Sequence, residues 1–187
     1  MVKELSLNIL DLAQNSLTAG STWVMIDLEE TEDTLRITLK DNGCGMSEEM
    51  VRNVTDPFCT TRKTRKVGLG IPFFQLAAEQ TGGSLTLSSI PASVSPDSHG
   101  TVISGLFYKN HLDFTPLGDV VSTLCTLIQG AGDVDIIFSH KLPGGEISLD
   151  TREIKEVLGG IPLCEPEVLV WIRDNLTEQY DEVGQNH

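Results

Sequence analysis

The stretch "DNGCGM", Asp41 to Met46, decides how the surrounding chain is to be read. Asp-Asn-Gly is strong hairpin chemistry, and the run before it, "LRITLK" (Leu35 to Lys40), alternates apolar and polar residues as a half-buried strand does. A hairpin would continue into a second alternating strand. Here the chain continues as "SEEMVRNV", in which Ser47 can cap a short helix with Glu48 and Glu49 in its first turn, where carboxylates complement the helix dipole. A strand that turns into a helix through two glycines points to an α/β layer rather than to a meander of strands.

Working outward, residues 3 to 17 place Leu5, Ile9, Leu12, Ala13 and Leu17 at helical spacing, with Gly20 as a stop. "TWVMIDLEE" and "TLRITLKD" read as an antiparallel hairpin around the acidic turn "ETED". Beyond Asp56-Pro57 comes a basic loop, "TTRKTRK", then a helix with Pro72 in its first turn, then the strands "GSLTLSSI" and "GTVISGLFY" on either side of a Pro/Ser-rich loop. From Asn110 the pattern predicts a helix over "PLGDVVSTLCTLIQGAG", strands "DVDIIFSH" and "GEISLD", and two short closing helices. The first is capped by Asp150 with Glu153 in a D-x-x-E pattern, and the second is opened by Pro166.

Composition narrows the function classes. The 187 residues carry a net charge of −14, which opposes general binding to nucleic acid or to an anionic membrane surface. Acidity concentrates after Asn110, with 14 acidic against 4 basic residues there and 13 against 9 before it. Cys44, Cys59, Cys125 and Cys164 show neither a CxxC pair nor zinc spacing, and no apolar run approaches a membrane span. A cytoplasmic protein with reduced thiols is the expectation.

Four segments carry candidate chemistry. On the first helix, Glu4, Asn8, Asp11 and Asn15 share one face, and an amide oxygen such as that of Asn15 suits magnesium, which takes few protein ligands. Asp41 stands between a strand end and glycines, where a carboxylate can accept a hydrogen bond from an exocyclic amine. Gly68 and Gly70 precede a helix N-terminus, the natural seat of phosphate oxygens. Arg62, Lys63, Arg65 and Lys66 put 4 of the 13 basic residues in one loop. Taken singly, each has an ordinary reading as surface, turn or solvated loop. No GxxxxGK[ST] occurs, which excludes a P-loop.

Taken in order, the segments resemble the GHKL, or Bergerat-fold, family of ATPases and kinases over roughly residues 3 to 107. "LDLAQNSLTAGS" is similar to its N box, "DNGCGM" to its G1 box, "DPFCTTR" to the segment before its nucleotide lid, "VGLGIPFFQLAAEQTGGSL" to its G2 box, and "GTVI" to the last strand of its pocket. The resemblance implies an α/β two-layer sandwich, helices on one face of a mixed sheet, as an ATP-binding domain over residues 1–109. A small acidic α/β C-terminal extension, residues 110–187, matches no family pattern.

Residue by residue, the resemblance implies that Asn15 holds Mg2+, that Asp41 bonds the adenine amino group, and that Gly43, Gly45 and Met46 shape the adenine pocket. Gly68, Leu69 and Gly70 would meet the phosphates of ATP, Thr101 would support the adenine contact, and Thr60, Thr61, Arg62 and Lys66 of the lid are further nucleotide-binding candidates. Asp11 occupies the position of the general-base Glu of the hydrolytic and serine-kinase branches and is one methylene shorter. That carboxylate and the absence of a helical phosphoacceptor pattern around His99, His111, His140 or His187 tilt the expectation away from sensor histidine kinases. The boxes are most similar to those of anti-sigma-factor serine kinases and mismatch-repair ATPases, while the short basic lid resembles the kinase branches rather than the long lid of the mismatch-repair branch. The expected protein is a stand-alone kinase or regulatory ATPase, or else a nucleotide-dependent switch with slow or no turnover. Its expected partners are ATP or ADP and a protein engaging the acidic C-terminal part, with homodimerisation left open.

Overall fold

The computed structural model describes residues 4–55 and 70–185. Each element expected of those residues is present: α1 (Leu5–Thr18), β1 (Trp23–Glu30), β2 (Thr34–Asp41), α2 (Glu48–Thr55), α3 (Gly70–Gln80), β3 (Ser84–Ile90), β4 (Gly100–Tyr108), α4 (Val120–Ala131), β5 (Asp135–Leu142), β6 (Gly145–Asp150), α5 (Thr151–Leu158) and α6 (Pro166–Gln185). The caps act where the residue types predicted them. Ser47 Oγ accepts the Met50 N–H at 3.2 Å, and the Asp150 carboxylate accepts the Arg152 N–H at 2.9 Å. One expectation needs correction: the last helix is not short but runs 20 residues, because Asp181 to Gln185 carry on the turns begun at Pro166.

All six strands form one mixed sheet in the order β3-β4-β2-β1-β5-β6. Every pair is antiparallel except β1 with β5, which is parallel. The C-terminal segment therefore extends the sheet, its first strand lying against β1. Its approach also caps the first helix, since the N–H groups of Leu5 and Ser6 donate to the carbonyls of Pro116 and Leu117 at 2.9 and 2.8 Å. These are orphan donors that a helix start must otherwise leave to water.

Strand alternation sorts the two faces. Val24, Ile26 and Leu28 of β1, Leu35, Ile37 and Leu39 of β2, Ile103 and Phe107 of β4, Ile136 and Phe138 of β5, and Ile147 and Leu149 of β6 are buried on one side. Helices α1, α3, α4 and α6 pack on that side. Their apolar faces, including Leu5, Ile9 and Leu12 of α1 and Ile172 and Leu176 of α6, join the strands in one continuous core. Gly105 is glycine for a packing reason: a Cβ there would lie 2.8 Å from the Phe74 ring, which seats α3 on β4 and tilts against Phe107 at 5.3 Å between centroids. The opposite face is partly solvated, with pairs such as Thr38–Ser104 at 2.8 Å and Ser139–Asp27 at 2.7 Å between neighbouring strands.

A second tie fastens the C-terminal segment at the far end of β1. His140 on β5 is 2% exposed, with Nδ1 2.8 Å from the Tyr180 hydroxyl of α6 and Nε2 3.3 Å from Glu30 Oε2. Lys109 Nζ donates to Glu30 Oε1 at 2.6 Å. The His140 hydrogen bond, and after it Lys109, hold the Glu30 carboxyl down at about 2 against the opposing effect of burial. Burial, with the Glu30 charge, pushes the Tyr180 hydroxyl up. Since an ionised carboxylate only accepts, Nε2 donates to Glu30.

Candidate nucleotide site

The cross-strand register brings Ser89, Thr101 and Asp41 side by side at one end of the sheet, on its helix-covered face. Asp41 is the last residue of β2 and 8% exposed. Its carboxylate is held from two sides: Oδ1 accepts the Gly43 N–H at 2.8 Å, and Oδ2 accepts the Ser16 hydroxyl of α1 at 2.5 Å. Each oxygen has a second lone pair, so the group is oriented without being saturated.

The loop after Asp41 is pinned to the elements around it. Asn42 turns away, its Oδ1 accepting the N–H groups of Thr22 and Trp23 at 2.9 and 3.2 Å. The Cys44 N–H donates to the Ala19 carbonyl and the Ala92 N–H donates to the Cys44 carbonyl, both at 2.9 Å. His99 Nδ1 donates to the Gly43 carbonyl at 2.6 Å, and the Met46 N–H donates to Ser89 Oγ at 2.8 Å. Ser89 Oγ also lies 2.8 Å from Thr101 Oγ1. Gly45 has φ +69°, and a Cβ on it would fall 2.1 Å from the Ile90 carbonyl oxygen, so this position excludes a side chain by contact with the protein itself. At Gly43 a Cβ would meet Ala19 and Ser21 on the back of the loop.

Above this loop a pocket of about 180 Å3 is lined by Asn15, Asp41, Gly45, Met46, Thr101 and their apolar neighbours, among them Leu12, Met50, Ile71 and Ile103. Whole small-molecule sites span about 300–1,000 Å3, so this is the scale of one heterocycle rather than of a complete nucleotide. Apolar walls with one fixed carboxylate and a few hydroxyls suit a flat, hydrogen-bonding base. Next to it, Gly70 at the N-terminus of α3 abuts α1: a Cβ there would stand 3.3 Å from Asp11 Cβ and 3.7 Å from Asn15 Nδ2. Asp11, Asn15 and the start of α3 thus converge.

Among the sequence candidates, the fold brings Asn15, Asp41, Gly45, Met46 and Thr101 to one pocket and Asp11 and Gly70 to its flank. Gly43 sits behind the loop and contributes its N–H to Asp41. Thr60, Thr61, Arg62, Lys66, Gly68 and Leu69 lie outside the described residues. The polar face of α1 is not uniformly solvated: Asn8 is 1% exposed, and neither polar atom of its side chain has a hydrogen-bond partner. Cys44 is exposed and lines the pocket mouth.

Sequence reading passed over Ser16, Ser89 and His99. For Ser89 a signal existed, since strand alternation sets its hydroxyl opposite Thr101. Ser16 follows Asn15 and, one helical step round, faces the sheet. Nothing local marks His99, whose role depends on a loop folding back over Gly43.

For magnesium, the donor set is an amide and a carboxylate one turn apart, and no cluster of three His, Cys, Asp or Glu side chains occurs among the described residues. That fits a cation that draws most of its shell from water and phosphate oxygens.

Residues 1–111 match the family described as histidine kinase-, DNA gyrase B-, and HSP90-like ATPase. The chain belongs to that family. This kinase-, gyrase- and HSP90-like ATPase domain is 36% identical over 91 residues to the tetrathionate sensor histidine kinase TtrS of Salmonella typhimurium, covering 48% of the chain and 15% of that protein. It is 31% identical over 90 residues to sporulation kinase A of Bacillus subtilis, covering 48% and 14%. The chain thus matches about one seventh of the length of these curated relatives. TtrS is named a histidine kinase, whereas the tilt drawn from Asp11 is away from histidine kinases.

Among solved structures, the ATPase fold matches the N-terminal domain of a DNA repair protein, with TM-score 0.56, 14% identity, and coverage of 87% of this chain and 59% of that one. It also matches the Aquifex aeolicus MutL ATPase domain complexed with ADP, with TM-score 0.52, 16% identity, and coverage of 85% and 70%. At these identities the likeness is one of fold, and it extends past the family match into the C-terminal strands. No helix among the described residues is long and apolar enough to cross a membrane.

Proposed function

We propose that the protein binds Mg-ATP in this pocket and acts as a kinase or regulatory ATPase on a protein partner that engages its acidic C-terminal part. The observation that carries the reading is the Asp41 carboxylate, buried, oriented by Ser16 and Gly43, and open toward an apolar pocket. An oriented acceptor in that setting selects a base bearing an exocyclic amine. Gly43, Gly45 and Met46 frame the base, and Thr101, held by Ser89, closes its edge. The start of α3 at Gly70 would meet the phosphates, and Gly68, Leu69, Thr60, Thr61, Arg62 and Lys66 are assigned to nucleotide binding from their sequence motifs alone. Asn15 would hold the magnesium ion, whose positive charge offsets the negative charge of the phosphates. Asp11 would take a proton from an attacking hydroxyl or water, directly or through a bridging water.

The second reading is a nucleotide-dependent switch with slow or no turnover, and Asp11 favours it. Its carboxyl is one methylene shorter than a Glu and exposed to solvent, so it reaches an attacking group through water rather than directly. Calorimetric titration with Mg-ATP and Mg-ADP tests both readings: saturable binding that Asp41→Asn weakens is expected, and indifference to that substitution overturns them. Incubation with γ-labelled ATP then separates them. Label on a co-purified protein supports the kinase, free phosphate lost in Asp11→Asn supports the ATPase, and tight ADP binding with neither supports the switch.

A further inference from the structure

The surface formed where α5 turns into α6 is the most apolar exposed region of the C-terminal segment. Val157 is 87% exposed, Trp171 54% and Ile161 52%. Leu158 and Trp171 are shared by two depressions, one of about 570 Å3 toward Ile161 and Pro162 and one of about 500 Å3 toward Ile154 and Val157, so the two adjoin as one grooved surface. Its base is firm, because Ile154, Leu163 and Val168 beneath it belong to the main core. A half-exposed Trp on a rigid base, with aliphatic side chains around it, is the composition of an interface hot spot rather than of ordinary solvated surface.

Charge says what fits there. Glu165 and Glu167 line one depression and Glu153 the other. The nearby cations are used internally: Arg152 pairs with Asp150 at 2.5 Å and Lys155 with Asp135 at 2.6 Å. No cation among the described residues stands within ion-pairing distance of Glu153, Glu165 or Glu167. A second copy docking through the same groove would set these carboxylates against their own kind. The chain's one basic cluster, Arg62 to Lys66, has no apolar side chain to fill the base.

We infer that the α5–α6 groove binds an amphipathic helical segment of a second protein, its apolar face against Trp171, Ile161, Leu158 and Val157 and its Lys or Arg residues against Glu153, Glu165 and Glu167. This rests on the proposed engagement of a protein partner by the acidic C-terminal part and narrows it to one groove and one ligand chemistry. Mode and pocket follow helix-in-groove recognition.

The test uses the full chain and a fluorescein-labelled 14-residue Leu/Lys amphipathic peptide, with a Leu/Glu peptide of the same pattern and an oligolysine of equal charge as comparators, read by anisotropy. Saturable binding of the Leu/Lys peptide is expected, weakened about tenfold or more by Trp171→Ala and by Val157→Asp. In Glu153→Gln/Glu165→Gln/Glu167→Gln, binding should weaken and its dependence on salt should flatten. Equal binding of oligolysine, or binding unchanged in Trp171→Ala and Val157→Asp, overturns the inference. So does a concentration-dependent dimer in sedimentation that Trp171→Ala abolishes, which assigns the groove to a second copy. Mg-ATP binding, measured on the same variants, should be unchanged. Its presence without peptide binding refutes the groove alone, and its absence from the parent chain refutes the nucleotide reading instead.

Discussion

Two polar networks stand on the helix-covered face of the sheet, at opposite ends of the β1–β2 hairpin. At one end, Ser16 and Gly43 hold Asp41 and Ser89 holds Thr101 by hydrogen bonds, with Ser16, Asp41 and Thr101 lining a pocket, and the Asp41 carboxylate keeps acceptor capacity. At the other, Lys109, Glu30, His140 and Tyr180 close on one another, and every polar tip has a partner within the chain. Each is built around an acid beside a hydroxyl, Asp41 buried and Glu30 half-buried, so residue type does not tell them apart. What differs is the acid's partners: each carboxylate accepts two hydrogen bonds, but Glu30 is paired with the Lys109 ammonium, whereas Asp41 has only a hydroxyl and a backbone N–H and lines the pocket. A closed network specifies structure, and an open one is held ready for a ligand.

The largest expected effect breaks the open network. Asp41→Asn should weaken Mg-ATP binding roughly 10- to 100-fold, since a hydrogen bond to a charged group is worth about 1.5–3 kcal/mol, while the thermal midpoint without nucleotide moves much less. Calorimetry on both proteins checks it, and an equal loss of stability and affinity would show that the pocket network is structural too.

Glu30→Ala should do the reverse. It strands His140 and Lys109 and is expected to cost about 1–3 kcal/mol of stability, several degrees in the thermal midpoint for a chain of this size, with Mg-ATP affinity intact. Denaturant melts with and without nucleotide give both quantities. The acid response sharpens the same contrast. The folded-state carboxyl of Glu30 is lowered from 4.5 to about 2, so its contribution is fully present above pH 4.5 and is lost as pH falls from there through 2. Thermal midpoints taken between pH 6 and pH 2 should fall less steeply in Glu30→Gln than in the parent chain.

The smallest effect concerns Asn8, a buried side chain outside both networks. Asn8→Leu removes two unpaired polar atoms at similar volume and should raise the thermal midpoint, by an amount on the order of 1 kcal/mol in stability. A fall would mean that Asn8 has a partner in the folded chain.

Much of this was legible in residue order. Alternation marked the six strands, and Ser47, Asp150 and Pro166 marked helix starts, because caps and periodicity are local. The length of α6 was not, since Gly184 and the polar residues around it give no apolar period, and that helix depends on packing against α4 and β6. Nor was the parallel pairing of β5 with β1, a contact between residues more than a hundred positions apart. In the site, Asn15, Asp41 and Thr101 stood out because they sit in ordered motifs. Ser16, Ser89 and His99 did not, since each acts by orienting another residue, and such roles follow from register and loop return.

The parallel partnership of β1 and β5 also bears on how the chain is made. Trp23 of β1 pairs with Asp135 of β5, 112 positions later. At roughly 5–20 residues per second, a ribosome leaves the open flank of β1 without its neighbour for on the order of ten seconds. For that interval the nascent nucleotide-binding half presents a bare strand edge, the kind of template on which other chains pair. Chaperone capture of the nascent chain is expected to be strongest before β5 emerges and to fall once it has.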